Sequence, residues 1–116
     1  MIKEELLIGG RWTEAGATIP VEDPSTGETF GALAAGTAKD IDAAVKAAQD
    51  ALRGAWGKAT AAERGRVLAK MSALVAEQVD TLADLEARDV GKPLKQARAD
   101  AVALSRYLEF YAGAAD

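Results

Sequence analysis

The segment Gly36-Thr37-Ala38-Lys39-Asp40-Ile41-Asp42-Ala43-Ala44-Val45 marks where the 116-residue chain changes character. A Thr followed three residues later by an acid is a helix-start signature. The hydroxyl can accept from the amide three residues on, and the carboxylate can reach back to the Thr amide. Beyond it Ile41, Val45, Ala48 and Leu52 recur at helical spacing and predict an apolar stripe. Gly54 and the Trp56-Gly57 pair end this helix.

Working back from Gly36, the pattern is short apolar or β-branched runs separated by turn formers. Leu6-Leu7-Ile8 and Arg11-Trp12-Thr13 flank Gly9-Gly10, a two-residue loop able to take positive φ at both central positions. Thr18-Ile19-Pro20-Val21-Glu22 and Glu28-Thr29-Phe30-Gly31-Ala32-Leu33 flank Asp23-Pro24-Ser25-Thr26-Gly27, a second reversal. Pro20 has no N–H, so its strand is expected at an edge or broken. Residues 5–35 read as a small antiparallel meander.

Working forward, Thr60-Ala61-Ala62-Glu63 is a full capping box. It opens a helix with the stripe Val67, Leu68, Met71, Leu74, Val75 and Val79. Asp80 is expected to cap a short third helix that turns Leu82 and Leu85 inward. Gly91 suits a left-handed end to that helix, and Pro93 the first turn of the next. The last helix carries Leu94, Ala97, Ala101, Leu104, Leu108 and Tyr111 on one stripe. The expected class is α+β, one domain over 1–116 with a β part near 5–35 and three or four amphipathic helices near 37–115. Such a small meander is a poor cover for that much helix surface. Something else is expected to pack there.

Composition narrows the chemistry. The chain has no Cys and no His, 49% hydrophobic residues and a net charge of −4. Thiol and imidazole catalysis and Cys/His metal sites are excluded. The mildly acidic balance offers nothing to nucleic acid or an anionic membrane. Met1-Ile2-Lys3-Glu4-Glu5 lacks the positive start of a secretory signal, and no run approaches a membrane span, so a soluble cytoplasmic protein is expected. Gly91-Lys92 lacks the rest of a phosphate loop, and no Gly-x-Gly-x-x-Gly follows a predicted strand. Glu86 and Asp89 could form a carboxylate pair, but a solvated face beside Arg88 and Lys92 is the plainer reading. Trp12, Trp56 and the Tyr107–Phe110–Tyr111 patch read as packing or interface anchors before ligand platforms. Arg64 and Arg66 are candidates for ion pairs with nearby acids.

Taken in order, these residues resemble the N-terminal segment of the aldehyde dehydrogenase superfamily. The run begins with Ile8-Gly9-Gly10-Arg11-Trp12, then Asp23-Pro24-Ser25-Thr26-Gly27-Glu28, where the family usually starts with Asn. It continues through Asp40-Ile41-Asp42-Ala43-Ala44-Val45, Trp56, Glu63-Arg64 and Leu68. Leu85-Glu86-Ala87-Arg88-Asp89-Val90-Gly91-Lys92-Pro93 is the most specific piece, and Tyr107 with Tyr111-Ala112-Gly113 completes it.

The resemblance implies the N-terminal part of a cofactor-binding domain in an α/β parent. That parent would oxidise an aldehyde to a carboxylic acid with NAD or NADP through a thiohemiacetal on a Cys. The catalytic Cys and Glu, and the cofactor-binding residues, would lie outside this chain. The chain alone is therefore expected to be inactive, to bind no dinucleotide and to self-associate through uncovered faces, with the rest of the parent as its natural partner. It also implies a monovalent cation, K+ or Na+, on the backbone carbonyls of Val21, Glu22 and Asp89, with a further carbonyl from beyond the chain. The rival expectation is a free-standing α+β module that associates through Ala-rich helices without catalysis.

Overall fold

The computed structural model describes residues 4–116, so Met1, Ile2 and Lys3 of the acidic start lie outside it. The chain divides into two compact units, 1–58 and 59–116.

In the first unit, β1 (Glu5–Ile8) and β2 (Arg11–Glu14) form an antiparallel hairpin that pairs Leu7 with Trp12. Gly9 and Gly10 turn it at φ 59° and 78°, values that cost a side-chain-bearing residue strain. Strands β3 (Thr18–Asp23) and β4 (Glu28–Ala34) form a second hairpin. Its loop is closed by the Gly27 amide on the Asp23 carbonyl at 2.7 Å and by the Ser25 amide on Asp23 Oδ1 at 2.9 Å. Asp23 thus does locally what the family's Asn would do, since both offer a side-chain oxygen two residues ahead of an amide. The four strands make two separate two-stranded sheets, β2 and β3 remaining unpaired with each other. In sheets this narrow every strand is an edge, which is why Pro20 is accommodated opposite Ala32. The register slips between Val21 and Glu22, leaving Phe30 as a surplus residue on β4, a β-bulge.

Helix α1 (Ala38–Arg53) follows, capped as expected: the Thr37 amide and hydroxyl each donate to Asp40 Oδ2 at 2.7 Å. It rests against β1, and Gly9 lies opposite Ala47. Its inward positions are Asp40, Ala44 and Ala47, half-buried, while Ile41, Val45 and Leu52 are exposed. The small residues face the hairpin and the large ones face away from it. A one-turn helix α2 (Ala55–Lys58), unforeseen from the sequence, carries Trp56.

In the second unit, α3 (Ala61–Glu77) is capped by Thr60, whose amide and hydroxyl donate to Glu63 Oε2 at 2.8 and 2.9 Å. Helix α4 (Val79–Val90) starts from Gln78, not Asp80, and Gln78 makes no side-chain cap bond. Asp80 sits in the first turn and accepts from Arg98 Nε at 2.9 Å. Gly91 ends α4 at φ 70° with its amide on the Ala87 carbonyl, and α5 (Leu94–Gly113) follows from Pro93. Helix α5 packs on both α3 and α4.

The α3–α5 contact is built from small side chains. A Cβ on Gly65 would stand 2.6 Å from the Ala112 carbonyl oxygen. Ser72 Oγ donates to the Ser105 carbonyl at 2.8 Å, and Ser105 Oγ to the Ser72 carbonyl at 3.1 Å. The buried face of α5 therefore runs Ala97, Ala101, Ser105, Leu108, Ala112, while Leu94, Leu104 and Tyr111 of the expected stripe are exposed. On α3, Leu68 and Val75 turn inward, but Val67, Met71 and Leu74 do not. Among the described residues the buried apolar set is Val21, Val79, Ala83, Ala97 and Ala101. The exposed area of 8414 Å² exceeds the roughly 7,200 Å² expected even for two independent globules of half the mass. Each unit keeps apolar faces that nothing in that unit covers.

Candidate functional site

Three of the residues singled out for chemistry, Glu86, Asp89 and Lys92, lie at the elbow between α4 and α5 in the second unit. Pro93 has no N–H, so the Asp89 carbonyl lacks the donor four residues on that a continuing helix would supply. Gly91 turns its own amide back to Ala87. The carbonyl end of α4 carries the negative pole of the helix dipole, which favours a cation. The Asp89 side chain is exposed.

Around this open end, Lys92 Nζ lies 2.6 Å from Glu86 Oε1 and 2.7 Å from Asp100 Oδ2. These two contacts, Asp100 first, raise the Lys92 pKa above its ordinary value. Glu86 thus pairs with Lys92, while the Asp89 side chain is exposed. At the other helix starts, Thr37 and Thr60 hold the Asp40 and Glu63 carboxyls below their ordinary pKa by backbone and hydroxyl hydrogen bonds. These are structural caps.

In the first unit, Val21 is buried, and the bulge falls between it and Glu22. A bulge interrupts the regular ladder and re-aims backbone groups. The chemistry of the donors fits a hard monovalent cation: backbone oxygens, with no imidazole or thiolate in the chain. The described strands are antiparallel pairs, and no glycine-rich turn leads from a strand into a helix. Among the described residues no cluster of three or more His, Cys, Asp or Glu side chains could hold a metal ion.

The remaining candidates stay structural. Arg64 donates to the Ala59 carbonyl at 2.6 Å, not to an acid. Trp12 and Trp56 are exposed within the described chain, as are Tyr107, Phe110 and Tyr111, with Phe110 and Tyr111 edge to face at 5.3 Å. An open groove of about 350 Å³ lies between α3 and α5, lined by Ala62, Gly65, Arg66, Ala69, Ala112, Gly113 and Asp116. It holds no converging polar set. No helix among the described residues is long and apolar enough to cross a membrane. Sequence reasoning missed the Lys92 bridge because Asp100 is eight residues away, a separation that only a bent chain closes. The one available signal was Gly91 and Pro93 bracketing a Lys.

Comparison with known proteins now bears on these features. The sequence model of the aldehyde dehydrogenase family matches residues 12–116. The chain is 43% identical over 116 residues to aldehyde dehydrogenase family 2 member B4, mitochondrial, of Arabidopsis thaliana, covering 97% of this chain and 22% of that protein. A crystal structure from Burkholderia cenocepacia, assigned to the aldehyde dehydrogenases, is 61% identical with a TM-score of 0.91 over 93% of this chain and 23% of its own. A double mutant of betaine aldehyde dehydrogenase from Staphylococcus aureus, in complex with NAD+, is 30% identical with a TM-score of 0.95, covering 99% of this chain and 24% of that one. The chain therefore spans less than a quarter of the length of each.

Proposed function

The chain belongs to the aldehyde dehydrogenase family, its strand pairs and helices being an α+β portion of that fold, and from this premise we propose its role. Residues 1–116 form the N-terminal part of the cofactor-binding domain of an NAD(P)-dependent enzyme that oxidises an aldehyde to a carboxylic acid. The observation that carries this reading is the superposition on the NAD+-bound betaine aldehyde dehydrogenase at a TM-score of 0.95. The uncovered faces of α1, α3 and α5 support it, because monomers rarely leave contiguous apolar surface in water. In this reading the rest of the parent covers those faces.

The chain contributes no reacting group. With no Cys it has no thiol to attack an aldehyde, so the nucleophile, general base and oxyanion donors belong to the remainder, and the chain alone is inactive. NAD(P), bound elsewhere in the parent, supplies the hydride acceptor. What these residues do is brace and orient. In the parent, the backbone carbonyls of Val21 and Glu22, and separately that of Asp89, would offer oxygen ligands of the kind K+ or Na+ takes, with a further carbonyl from outside the chain; the bulge at Val21–Glu22 and the end of α4 at Gly91 support this. A cytoplasmic location belongs to the same proposal, although the matched Arabidopsis protein is named as mitochondrial.

The test is aldehyde-dependent NADH formation by residues 1–116, by the complementary remainder of the parent, and by the two together. Activity is expected only when both are present. Turnover by 1–116 alone, or undiminished turnover by the remainder alone, refutes the reading.

A further inference from the structure

Helix α4 is fastened to its unit chiefly along α5, and the footing is small. Its buried residues are Val79 and Ala83, those of α5 are Ala97 and Ala101, and Leu82 and Leu85 are half-buried. Methyl groups remove little area from water, so this apolar closure is weak. Both ends of α4 are places where the chain can turn. Gln78 ends α3 and starts α4 without a side-chain cap bond, and Gly91 sits in the left-handed region at φ 70°. Element-terminal residues of this kind absorb the backbone rotation of a hinge. Beside Gly91, Lys92 Nζ lies 2.6 Å from Glu86 Oε1 on α4 and 2.7 Å from Asp100 Oδ2 on α5, its side chain 26% exposed. One ammonium thus ties the two helices and neutralises two carboxylates that would otherwise repel each other. The Arg98–Asp80 pair joins the same helices, but both side chains are exposed and such a pair contributes little.

We infer that α4 is a strap, hinged at Gln78 and Gly91 and latched to α5 by Lys92, which lifts off as one piece while α3 and α5 stay packed. The α3–α5 contact uses other means, the close approach at Gly65 and the reciprocal Ser72–Ser105 hydrogen bonds, and none of these involves α4. Segments closed by few apolar contacts occupy the low end of local stability. Because the latch is ionic, salt tunes the strap: screening weakens the pull of the ammonium on both carboxylates. Without Lys92 the sign reverses. What is left between Glu86 and Asp100 is repulsion, and salt relieves it.

The experiment uses the full-length protein carrying these residues, as wild type, Lys92→Met and Lys92→Arg. Amide hydrogen exchange is followed in α4 and α3 at about 0.1 M and about 1 M choline chloride, between which the screening length falls from about 10 Å to about 3 Å. Choline keeps alkali cations out of the comparison. In the wild type, exchange of α4 is expected to rise about twofold to threefold with salt while α3 is unchanged. In Lys92→Met, α4 is expected to exchange about tenfold faster than wild type at the lower salt, with no further rise at the higher and no change in α3. Lys92→Arg is expected to stay within about twofold of wild type, since a guanidinium also spans two carboxylates. A wild-type α4 indifferent to salt, a Lys92→Met α4 that exchanges like wild type, or a Lys92→Arg as fast as Lys92→Met overturns the latch. Exchange of α3 rising together with α4 overturns the strap, because the unit would then open as a whole. If Lys92→Met yields no folded protein, the wild-type salt response and Lys92→Arg decide.

Discussion

Gly65→Ala tests whether α3 and α5 touch as closely as described. The added Cβ would stand 2.6 Å from the Ala112 carbonyl oxygen and 3.4 Å from the Ala115 Cβ. A comfortable carbon–oxygen contact begins near 3.3 Å, so one backbone must retreat by roughly 0.7 Å. Neither partner is a flexible side-chain tip. Alanine gains about 1 kcal/mol over glycine in helix propensity. Against that, overpacking costs about 1–3 kcal/mol. Retreat of α5 also stretches the paired Ser72–Ser105 hydrogen bonds, which contribute on the order of 1 kcal/mol each. The net expectation is a loss of about 1–2 kcal/mol, or roughly 5–15 °C in the thermal midpoint of a unit this size. Gly113→Ala is the control, since a Cβ there meets nothing within 4 Å and Gly113 is not among the positive-φ glycines. It should be neutral or slightly stabilising. Thermal unfolding of both variants by circular dichroism decides the matter. Gly65→Ala unfolding at or above the wild-type temperature would refute the close approach.

Thr60→Ala removes the acceptor for the Glu63 amide and should cost about 1 kcal/mol, read as a lower urea midpoint at unchanged slope. The depressed Asp40 and Glu63 carboxyls contribute stability that is full above the ordinary carboxylate range and lost as pH falls through their lowered values. Lys92, raised, contributes below the ordinary lysine value and loses its share as pH rises through the folded one. Helicity should hold a plateau between these limits, and Glu63→Gln should shrink the acid-side loss; an acid limb identical to wild type would count against the cap. The chain alone should self-associate in sedimentation, and Met71→Gln with Tyr107→Gln should shift it toward monomer, because both side chains are exposed. A wild-type chain that stays monomeric at high concentration contradicts the prediction.

Local chemistry was legible in the sequence. Gly9, Gly10, Gly27 and Gly91 all adopt the positive φ that their turns demand, and both threonine caps form, because each device needs only neighbours within a few residues. The direction of the apolar stripes was not. Ile41, Val45 and Leu52 mark a face of α1 that needs a neighbour, yet periodicity says nothing about whether the neighbour is the adjoining hairpin. On α5 the choice between Leu104 and Ser105 as the inward residue was decided by how closely α3 could approach. Gly65 and Ala112 allow an approach too close for leucine, so the serines meet instead. Gln78 displaced Asp80 as the start of α4 because Arg98, reached only after the elbow, holds the Asp80 carboxylate. The carbonyl ligands carry no side-chain signature at all. Pro93 is the one letter that marks a carbonyl four residues earlier with no helical amide donor.

The surplus residue at Phe30 gives the second hairpin two phases. Strand side chains alternate in parity, so one uncounted position exchanges odd for even from that point to the strand's end. Deleting Phe30 would knit an unbroken ladder opposite Thr18–Asp23 and leave Thr29 and Glu28 on the faces they already share with Glu22 and Asp23, so that the bend in the chain is lost while the pairing is kept.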